Sequence, residues 1–213
     1  MTTVDDWAPA PLQNVAARLD PVGPQHYAFL RDAEILVLGP GWRHRGAVAS
    51  PAEFERGVWS GILCQFLIVR ESDDEPIGWV QAYNADIANS HCHLSVGRFH
   101  PRTMQAEFGV GFTMFVDYLF DNWSFIKLYL DVAEFNMAPL RSALGTLLRE
   151  EGVLRQHLWA GGNRHDLRLL ALWRDTWEAA ETVARLRDLF PVPTEPRIVF
   201  RRPPERTGGR STV

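Results

Sequence analysis

The stretch that most restricts the fold is Phe112–Asn122, because its apolar residues recur at helical spacing between two strand-like segments. Its apolar face consists of Phe112, Phe115, Val116, Leu119 and Phe120. Residues at this spacing lie on one side of a helix, so we expect that side to face a core. The flanking segments His91–Phe99 and Ile126–Val132 alternate as strands do. The sequence therefore predicts a central unit of strand, loop, helix and strand, followed by an amphipathic helix over Met137–Arg149.

Elements of both kinds alternate along the rest of the chain, as in a domain that packs helices on a mixed sheet. Ser50 and Glu53 have the spacing of a capping box, which predicts that a helix begins at Pro51. The predicted strands are Gln13–Leu19, Gln65–Glu71, Ile77–Tyr83, Val153–Trp159, Asp166–Trp173 and Arg197–Phe200, and the predicted helices are Pro24–Leu38, Pro51–Ser60 and Glu178–Leu189. We predict one α/β domain over residues 13–200, between a flexible arm at 1–12 and a flexible tail at 201–213.

Charge and composition exclude several classes of protein. The 213 residues carry 22 Lys and Arg against 26 Asp and Glu, a net charge of −4, whereas broad nucleic-acid binding needs a basic surface. No apolar run approaches the roughly 20 residues that span a membrane, and the first residues lack the pattern of a signal peptide. Cys64 and Cys92 form no C-x-x-C pair. We therefore expect a cytoplasmic protein with reduced thiols that binds neither nucleic acid nor membrane.

The predicted loop Pro101–Gly111, before the central helix, contains Gly109 and Gly111. A loop that leads into a helix presents unpaired backbone N–H groups and a partial positive charge, which suits a phosphate or pyrophosphate. The G-x-G spacing is weak support, because it lacks the Gly-Lys-Ser/Thr of a Walker A loop and the third glycine of a dinucleotide fingerprint. Close packing of the two glycines is the alternative.

Four short motifs follow one another from the central helix onward. They are Asp117-Tyr-Leu-Phe120 at the helix end, Asn136 after the next strand, Arg149-Glu-Glu-Gly-Val-Leu-Arg155, and a final hairpin with Gly162, Asp166 and Trp177. In this order they resemble the GNAT superfamily of acyl-CoA-dependent N-acetyltransferases, especially the branch that includes the ribosomal-protein N-terminal acetyltransferases. The resemblance covers about residues 13–177, most of the chain.

The resemblance implies a mostly antiparallel sheet with helices on both faces, in which the fourth strand splays from the fifth. It also implies acetyl-CoA as the acyl donor, with pantetheine along the free edge of the fourth strand and pyrophosphate on the N–H groups before the central helix. The residues expected to contact acetyl-CoA are Leu94, Ser95, Val96, Gln105, Ala106, Gly109, Gly111 and Asn136. The chain departs from the family at the general acid, because the usual tyrosine and serine positions fall on Ala143 and Pro139.

Acyl transfer to an amine needs a base that removes the proton of the ammonium. His93 falls near the place where this branch often carries Glu, and an imidazole titrates near pH ~6.5. A histidine held by structural hydrogen bonds is the alternative. Glu134 and Asp131 are further candidates for the base, and Ser142 is a candidate proton donor to the departing thiolate. His91 shares a strand face with His93, but no third ligand has suitable spacing, so we expect no metal.

Aromatic residues and one basic loop are candidates for the acceptor cleft. Trp42 and Trp79 fall in segments that wall this cleft in the family and would suit an apolar amine; packing in the core is the alternative. Tyr83 is a further candidate, either beside the acceptor or as a proton donor. Arg43 lies in the loop 39–46 and would favour an acceptor with a carboxylate or phosphate.

We expect acyl-CoA and an amine, of a small molecule or of a protein N-terminus, as the partners, and we allow for a homodimer. The alternative function is a GNAT-like module without catalysis, in a regulatory or assembly role. Binding of acetyl-CoA separates these two functions: micromolar binding favours the acyltransferase, and a folded protein that does not bind favours the module.

Overall fold

The computed structural model describes residues 12–36, 47–99 and 105–191. Its strands are β1 (Ala17–Pro21), β2 (Ile62–Arg70), β3 (Pro76–Asp86), β4 (His91–Arg98), β5 (Lys127–Ala133), β6 (Leu148–Ala160) and β7 (Asn163–Trp173). Its helices are α1 (Tyr27–Leu36), α2 (Pro51–Gly57), α3 (Gln105–Asn122), α4 (Arg174–Glu178) and α5 (Glu181–Leu189). The strands form one sheet in the order β1-β2-β3-β4-β5-β7-β6. Of these seven strands, β4 and β5 pair in parallel and all other neighbours are antiparallel, so the predicted mixed, mostly antiparallel sheet is confirmed.

Helices cover both faces of this sheet, because successive residues of a strand point to opposite sides. On one face α3 packs over Ile68 of β2, Val80 of β3 and Leu94 of β4, in the larger hydrophobic cluster. On the other face Leu67 and Trp79 pack with residues of α1 and α2, in a second cluster. Burial of one such side chain contributes about 1.5–3 kcal/mol to the free energy of unfolding. The two clusters therefore hold helices on both faces of the sheet, which gives three layers.

The start of α2 follows the prediction, because Ser50 and Glu53 cap each other's backbone. The Ser50 N–H donates to Glu53 Oε2 at 2.9 Å, and the Glu53 N–H donates to Ser50 Oγ at 3.4 Å. Two backbone N–H groups at the N-terminus of the helix find acceptors in this way. The β2–β3 and β6–β7 hairpins also form where the sequence predicts them.

Two elements near the centre of the chain correct the prediction. The helix α3 begins at Gln105, so Gly109 and Gly111 lie inside it and not in a loop. No helix forms over Met137–Arg149, where short 3-10 turns at 134–136 and 138–140 lead through further turns to β6 at Leu148. Gly145 has φ +78°, a conformation outside the helical region. Leu148 pairs with Leu172 of β7, so sheet pairing replaces the expected helix.

Several terminal segments differ from the prediction or lie outside the described residues. The first strand is Ala17–Pro21, later than the predicted Gln13–Leu19. The last predicted helix, Glu178–Leu189, begins only at Glu181 as α5, and a separate short helix, α4, precedes it over Arg174–Glu178. The tail 201–213, the expected strand at 197–200 and nearly all of the arm are outside the described ranges. Within those ranges no helix is long and apolar enough to cross a membrane.

Candidate active site

The strands β4 and β5 part shortly after they begin. Their parallel pairing comprises His91 with Lys127, Cys92 with Leu128, and His93 with Tyr129. Beyond His93, β4 pairs only with β3 on its other side, and β5 pairs only with β7. The splay predicted between the fourth and fifth strands is therefore confirmed. From Leu94 onward the β4 edge that faces β5 has no strand partner among the described residues, which leaves backbone N–H and C=O groups for an extended ligand.

A histidine and an aspartate meet at the point where the two strands part. Nδ1 of His93 lies 3.0 Å from Oδ2 of Asp131, and the two side chains are 21% and 30% exposed. Alternation along β5 puts Tyr129 and Asp131 on one face, so the carboxylate reaches back across the gap to β4. Because an ionised carboxylate only accepts, Nδ1 is the nitrogen that carries the hydrogen when the imidazole is neutral, and Nε2 then has the free electron pair. This is the tautomer that a general base requires.

A tyrosine from a third strand completes the contacts of Asp131. The hydroxyl of Tyr83, on β3, donates to Oδ2 of Asp131 at 3.3 Å. Burial of the phenol, and then the negative charge of Asp131, raise the pKa of Tyr83, so the hydroxyl keeps its proton. Asp131 therefore ties β3, β4 and β5 together on one face of the sheet. Sequence analysis named Tyr83, His93 and Asp131 separately, and the structure brings them into one group.

Four rings form a continuous row on this face, which we call the aromatic row: Tyr83, His93, Tyr129 and His91. The ring centres of Tyr83 and His93 are 5.4 Å apart, those of His93 and Tyr129 are 5.3 Å apart, and those of Tyr129 and His91 are 5.4 Å apart. All four residues are partly buried, with none in the hydrophobic clusters. Such distances are those of interacting aromatic pairs. The row extends from the His93–Asp131 pair to the start of β4.

A lysine lies over Tyr129, the third ring of the aromatic row. Nζ of Lys127 lies 4.5 Å from the ring centre of Tyr129 and 4.9 Å from that of Trp173. It also pairs with Glu151 Oε2 at 2.9 Å. Burial alone would lower the pKa of Lys127, but hydrogen bonds to Tyr129 and Glu151 outweigh it and raise the pKa. The aromatic row therefore has a fixed positive charge beside Tyr129.

The start of α3 lies next to the end of β4. The first four N–H groups of a helix have no acceptor inside it, so those of Gln105 and Ala106 stay candidates for a phosphate. The N–H groups of Gly109 and Gly111 are bonded within the helix, which corrects their assignment to a phosphate loop. A Cβ at Gly111 would lie 2.3 Å from Cγ2 of Ile68, so this glycine allows close packing on β2.

An arginine beside this helix end was missed by sequence analysis. Arg98 is the last residue of β4, and its guanidinium lies 4.8 Å from the ring centre of Phe108 in the first turn of α3. Phe108 in turn fills the space above Gly78, where a Cβ would meet the ring at 2.4 Å. A basic residue at the end of the strand, just before the glycine-containing segment, was the available signal. Arg98 therefore places a positive charge beside the first turn of α3.

The other predicted catalytic residues lie apart from this group. Glu134 and Asn136 are exposed in the 3-10 turn after β5, and Ser142 is exposed in the turns before β6. Among the contacts of the described residues, none joins these three side chains to His93 or Asp131. Ser142 would have been on the expected helix, but the backbone around it forms turns.

The predicted acceptor residues divide in the same way. Trp79 is 1% exposed in the cluster under α1 and α2, which places it in the core and not on a cleft wall. Trp42 and Arg43 lie outside the described residues. Within the described part of the chain, no group of three or more His, Cys, Asp and Glu side chains is arranged to hold a metal ion.

Comparison with known proteins identifies the fold through structure alone. No protein-family model and no curated protein sequence match the chain. A chimera of the spermidine N-acetyltransferase SpeG from Vibrio cholerae and hSSAT has a TM-score of 0.65 and 15% identity, over 78% of this chain and 99% of that one. SpeG from Vibrio cholerae in complex with manganese ions has a TM-score of 0.62 and 17% identity, over 76% and 95%. A dodecameric structure of the same enzyme has a TM-score of 0.62 and 15% identity, over 77% and 97%. At such low identities the structural similarity shows the fold alone, and this chain has the GNAT fold.

Proposed function

We propose that this protein is an acyl-CoA-dependent N-acyltransferase that moves an acetyl group from acetyl-CoA to an amine of a small molecule. The observation that carries the proposal is the His93–Asp131 pair, 3.0 Å apart, at the point where β4 and β5 part. The related structures support it, because their names describe acetyl transfer to spermidine, a small amine. An amine at a protein N-terminus, and the ribosomal-protein branch, stay predictions from the sequence motifs.

The donor would lie in the gap between β4 and β5. The open edge of Leu94, Ser95 and Val96 offers backbone groups to the amides of pantetheine and an N–H to the oxyanion of the tetrahedral intermediate. The first-turn N–H groups of α3 and the guanidinium of Arg98 would hold the pyrophosphate. Glu107 does not oppose this, because its carboxylate faces Arg70 at 3.9 Å.

In the reaction a C–N bond replaces a C–S bond, and the nitrogen loses two protons, the first to a base and the second to the departing thiolate. Nε2 of His93 takes a proton from the ammonium, and Asp131 holds the imidazole in orientation and stabilises its positive charge. The free amine attacks the thioester carbonyl, the C–N bond forms, and the C–S bond breaks with its electron pair going to sulfur. A thiol has a pKa of about 8.5, so the CoA thiolate can leave. It takes up the second proton, which the attacking nitrogen releases as the amide forms, directly or through water. A dedicated proton donor is not required for turnover.

Titration calorimetry and turnover test this proposal. We expect acetyl-CoA to bind the wild-type protein and amines to release CoA thiol. His93→Gln should lower kcat by about 10²–10⁴ while the acetyl-CoA Kd stays unchanged. Asp131→Asn should lower kcat less and change its pH profile, because the imidazole loses its charged partner.

Glu134→Gln is the matched control, since it removes a carboxylate that follows the same strand but touches neither partner. We expect wild-type turnover from this variant. A folded protein that binds no acetyl-CoA up to millimolar concentration would contradict the proposed function. Equal losses from Glu134→Gln and His93→Gln would contradict the assigned base.

One observation favours the second candidate, a GNAT-like module without catalysis. The segment that holds the general acid in the resembled family forms 3-10 turns here, with Pro139 and Ala143 at the expected positions. Acetyl-CoA binding without turnover of any amine would support this candidate. The homodimer stays a prediction that sedimentation can measure.

A further inference from the structure

We infer that the acceptor is an amine with one positive charge on an aromatic skeleton, and that a polyamine is a poor substrate. This inference rests on the proposed function, because it assigns the substrate class of the same site. It begins from the aromatic row, whose first two rings, Tyr83 and His93, contact each other beside Asp131. An acceptor with its nitrogen at His93 would place its skeleton along the remaining rings, which are partly exposed.

The geometry of the row suits a flat ring. Its members lie 5.3–5.4 Å from one another and are tilted, with interplanar angles of 45°, 40° and 73°. A tilted row leaves ring faces and edges that pair with another aromatic ring in offset or edge-to-face contact. A saturated, flexible chain gains burial there but not these contacts.

The charges along the row oppose a second ammonium group. A polyamine that placed one nitrogen at His93 would extend another toward Lys127, whose charge already lies 4.5 Å from the Tyr129 ring centre. The face of Tyr129 that could hold a cation is thus already in contact with one. Two like charges repel across this surface, and the penalty grows as the ligand excludes water.

The carboxylates near the row are already engaged with groups of this chain. Asp131 is bonded to His93 and Tyr83, and Glu151 is paired with Lys127. Asp86, at the end of β3, accepts hydrogen bonds from both the backbone and the side chain of Asn89. None of these three carboxylates is therefore left to pair with a second ammonium group.

Steady-state kinetics at saturating acetyl-CoA test the inference with three amines. 2-Phenylethylamine is the aromatic monoamine, 2-cyclohexylethylamine is its saturated match, and spermidine is the polyamine. We expect kcat/KM to be at least about tenfold higher for 2-phenylethylamine than for spermidine. The saturated match should be about two- to twelvefold poorer than 2-phenylethylamine, the ratio that corresponds to one aromatic contact.

Two variants assign the effect to named residues. Tyr129→Leu should remove most of the preference for the aromatic amine, chiefly through KM. Lys127→Met should raise kcat/KM for spermidine about fivefold relative to 2-phenylethylamine, because it removes the repelling charge and frees Glu151. Trp159→Leu is the matched control, since this exposed aromatic residue on β6 is outside the row. Unchanged acetyl-CoA affinity in each variant shows that the fold is retained.

The outcomes separate this inference from the proposed function. Spermidine as the best of the three amines would overturn the inference and leave the acyltransferase activity standing. A Tyr129→Leu variant with an unchanged aromatic preference would also overturn it. Failure of every amine, together with failure to bind acetyl-CoA, would instead refute the proposed function.

Discussion

Gly109 and Gly111 are two residues apart in α3, and the same substitution by alanine should have opposite effects on them. Apart from its own helix backbone, a Cβ at Gly109 would meet no atom of the described residues within 4 Å, so Gly109→Ala should stabilise the fold by about 0.5–1 kcal/mol through helix propensity. A Cβ at Gly111 would lie 2.3 Å from Cγ2 and 3.0 Å from Cγ1 of Ile68. Overpacking of this kind costs about 1–3 kcal/mol, so Gly111→Ala should be destabilising by about 1–2 kcal/mol overall.

Urea unfolding followed by tryptophan fluorescence measures both changes. The free energies of unfolding of the two variants should differ by roughly 2 kcal/mol, with changes of opposite sign from the wild type. Equal effects, or a loss of stability in Gly109→Ala, would refute the helical structure of this segment. The affinity for acetyl-CoA should not change in Gly109→Ala, because that N–H is bonded inside the helix in either case.

A double-mutant cycle identifies the cause of the loss at Gly111. Ile68→Ala removes all three atoms that a new Cβ would meet, at its own cost of about 2–5 kcal/mol. In that background Gly111→Ala should no longer destabilise the protein. A loss of the same size with and without the Ile68 side chain would show that contact with Ile68 is not the reason.

Two further predictions concern stability. Burial raises the pKa of both Cys64 and Cys92 to about 12, so the native thiols should resist Ellman's reagent near pH ~8 and react once unfolded. Because the unfolded thiols ionise near pH ~8.5 and the folded ones do not, the free energy of unfolding should fall as the pH rises above that value. Asp117→Ala should cost about 1.5–3 kcal/mol in chemical denaturation, because the carboxylate binds one side chain of α4 and one of α5. Asp121→Asn is the control, since burial and repulsion by Asp117 raise the pKa of Asp121, so that the folded protein disfavours this charge.

Local patterns in the sequence predicted the elements that depend on neighbouring residues. The capping box of Ser50 and Glu53 specifies the start of α2, and the hairpins follow from alternating runs on either side of polar turns. These features involve residues close together in the chain, so the printed sequence contains what is needed to find them.

The site itself depends on register between distant strands. His93 and Asp131 were both candidates, but they are 38 residues apart, and their contact depends on how β4 aligns with β5. The Met137–Arg149 segment has helical periodicity, yet Leu148 is used by the sheet. The sequence predicts a loop at Gly111 because it does not show that Ile68, in the distant strand β2, requires a glycine at this place in α3.

The motifs that resemble the GNAT superfamily turn out to contact one another. The Trp177 indole donates to Asp117 at 2.7 Å, and Arg155 pairs with Asp166 at 2.6 Å. Asp166 also accepts from the N–H of Gln156, which has φ +51° in an irregular part of β6. These motif residues therefore hold the framework, while the group at His93 lies outside them.

The short junction between β4 and β5 makes the sheet weakest where we place its chemistry. Three residue pairs join the four strands on one side to the three on the other, with Asp131 as an additional tie. Amide hydrogen exchange should therefore report local opening first along this seam, before the hairpins on either side release their protons. A ligand in the gap would bond to the edge of β4, which has no strand partner there in the described part of the chain. It would thereby connect the two halves of the sheet. Occupancy by the acyl donor should then raise the melting temperature of the whole sheet, and release of the product should relax it again.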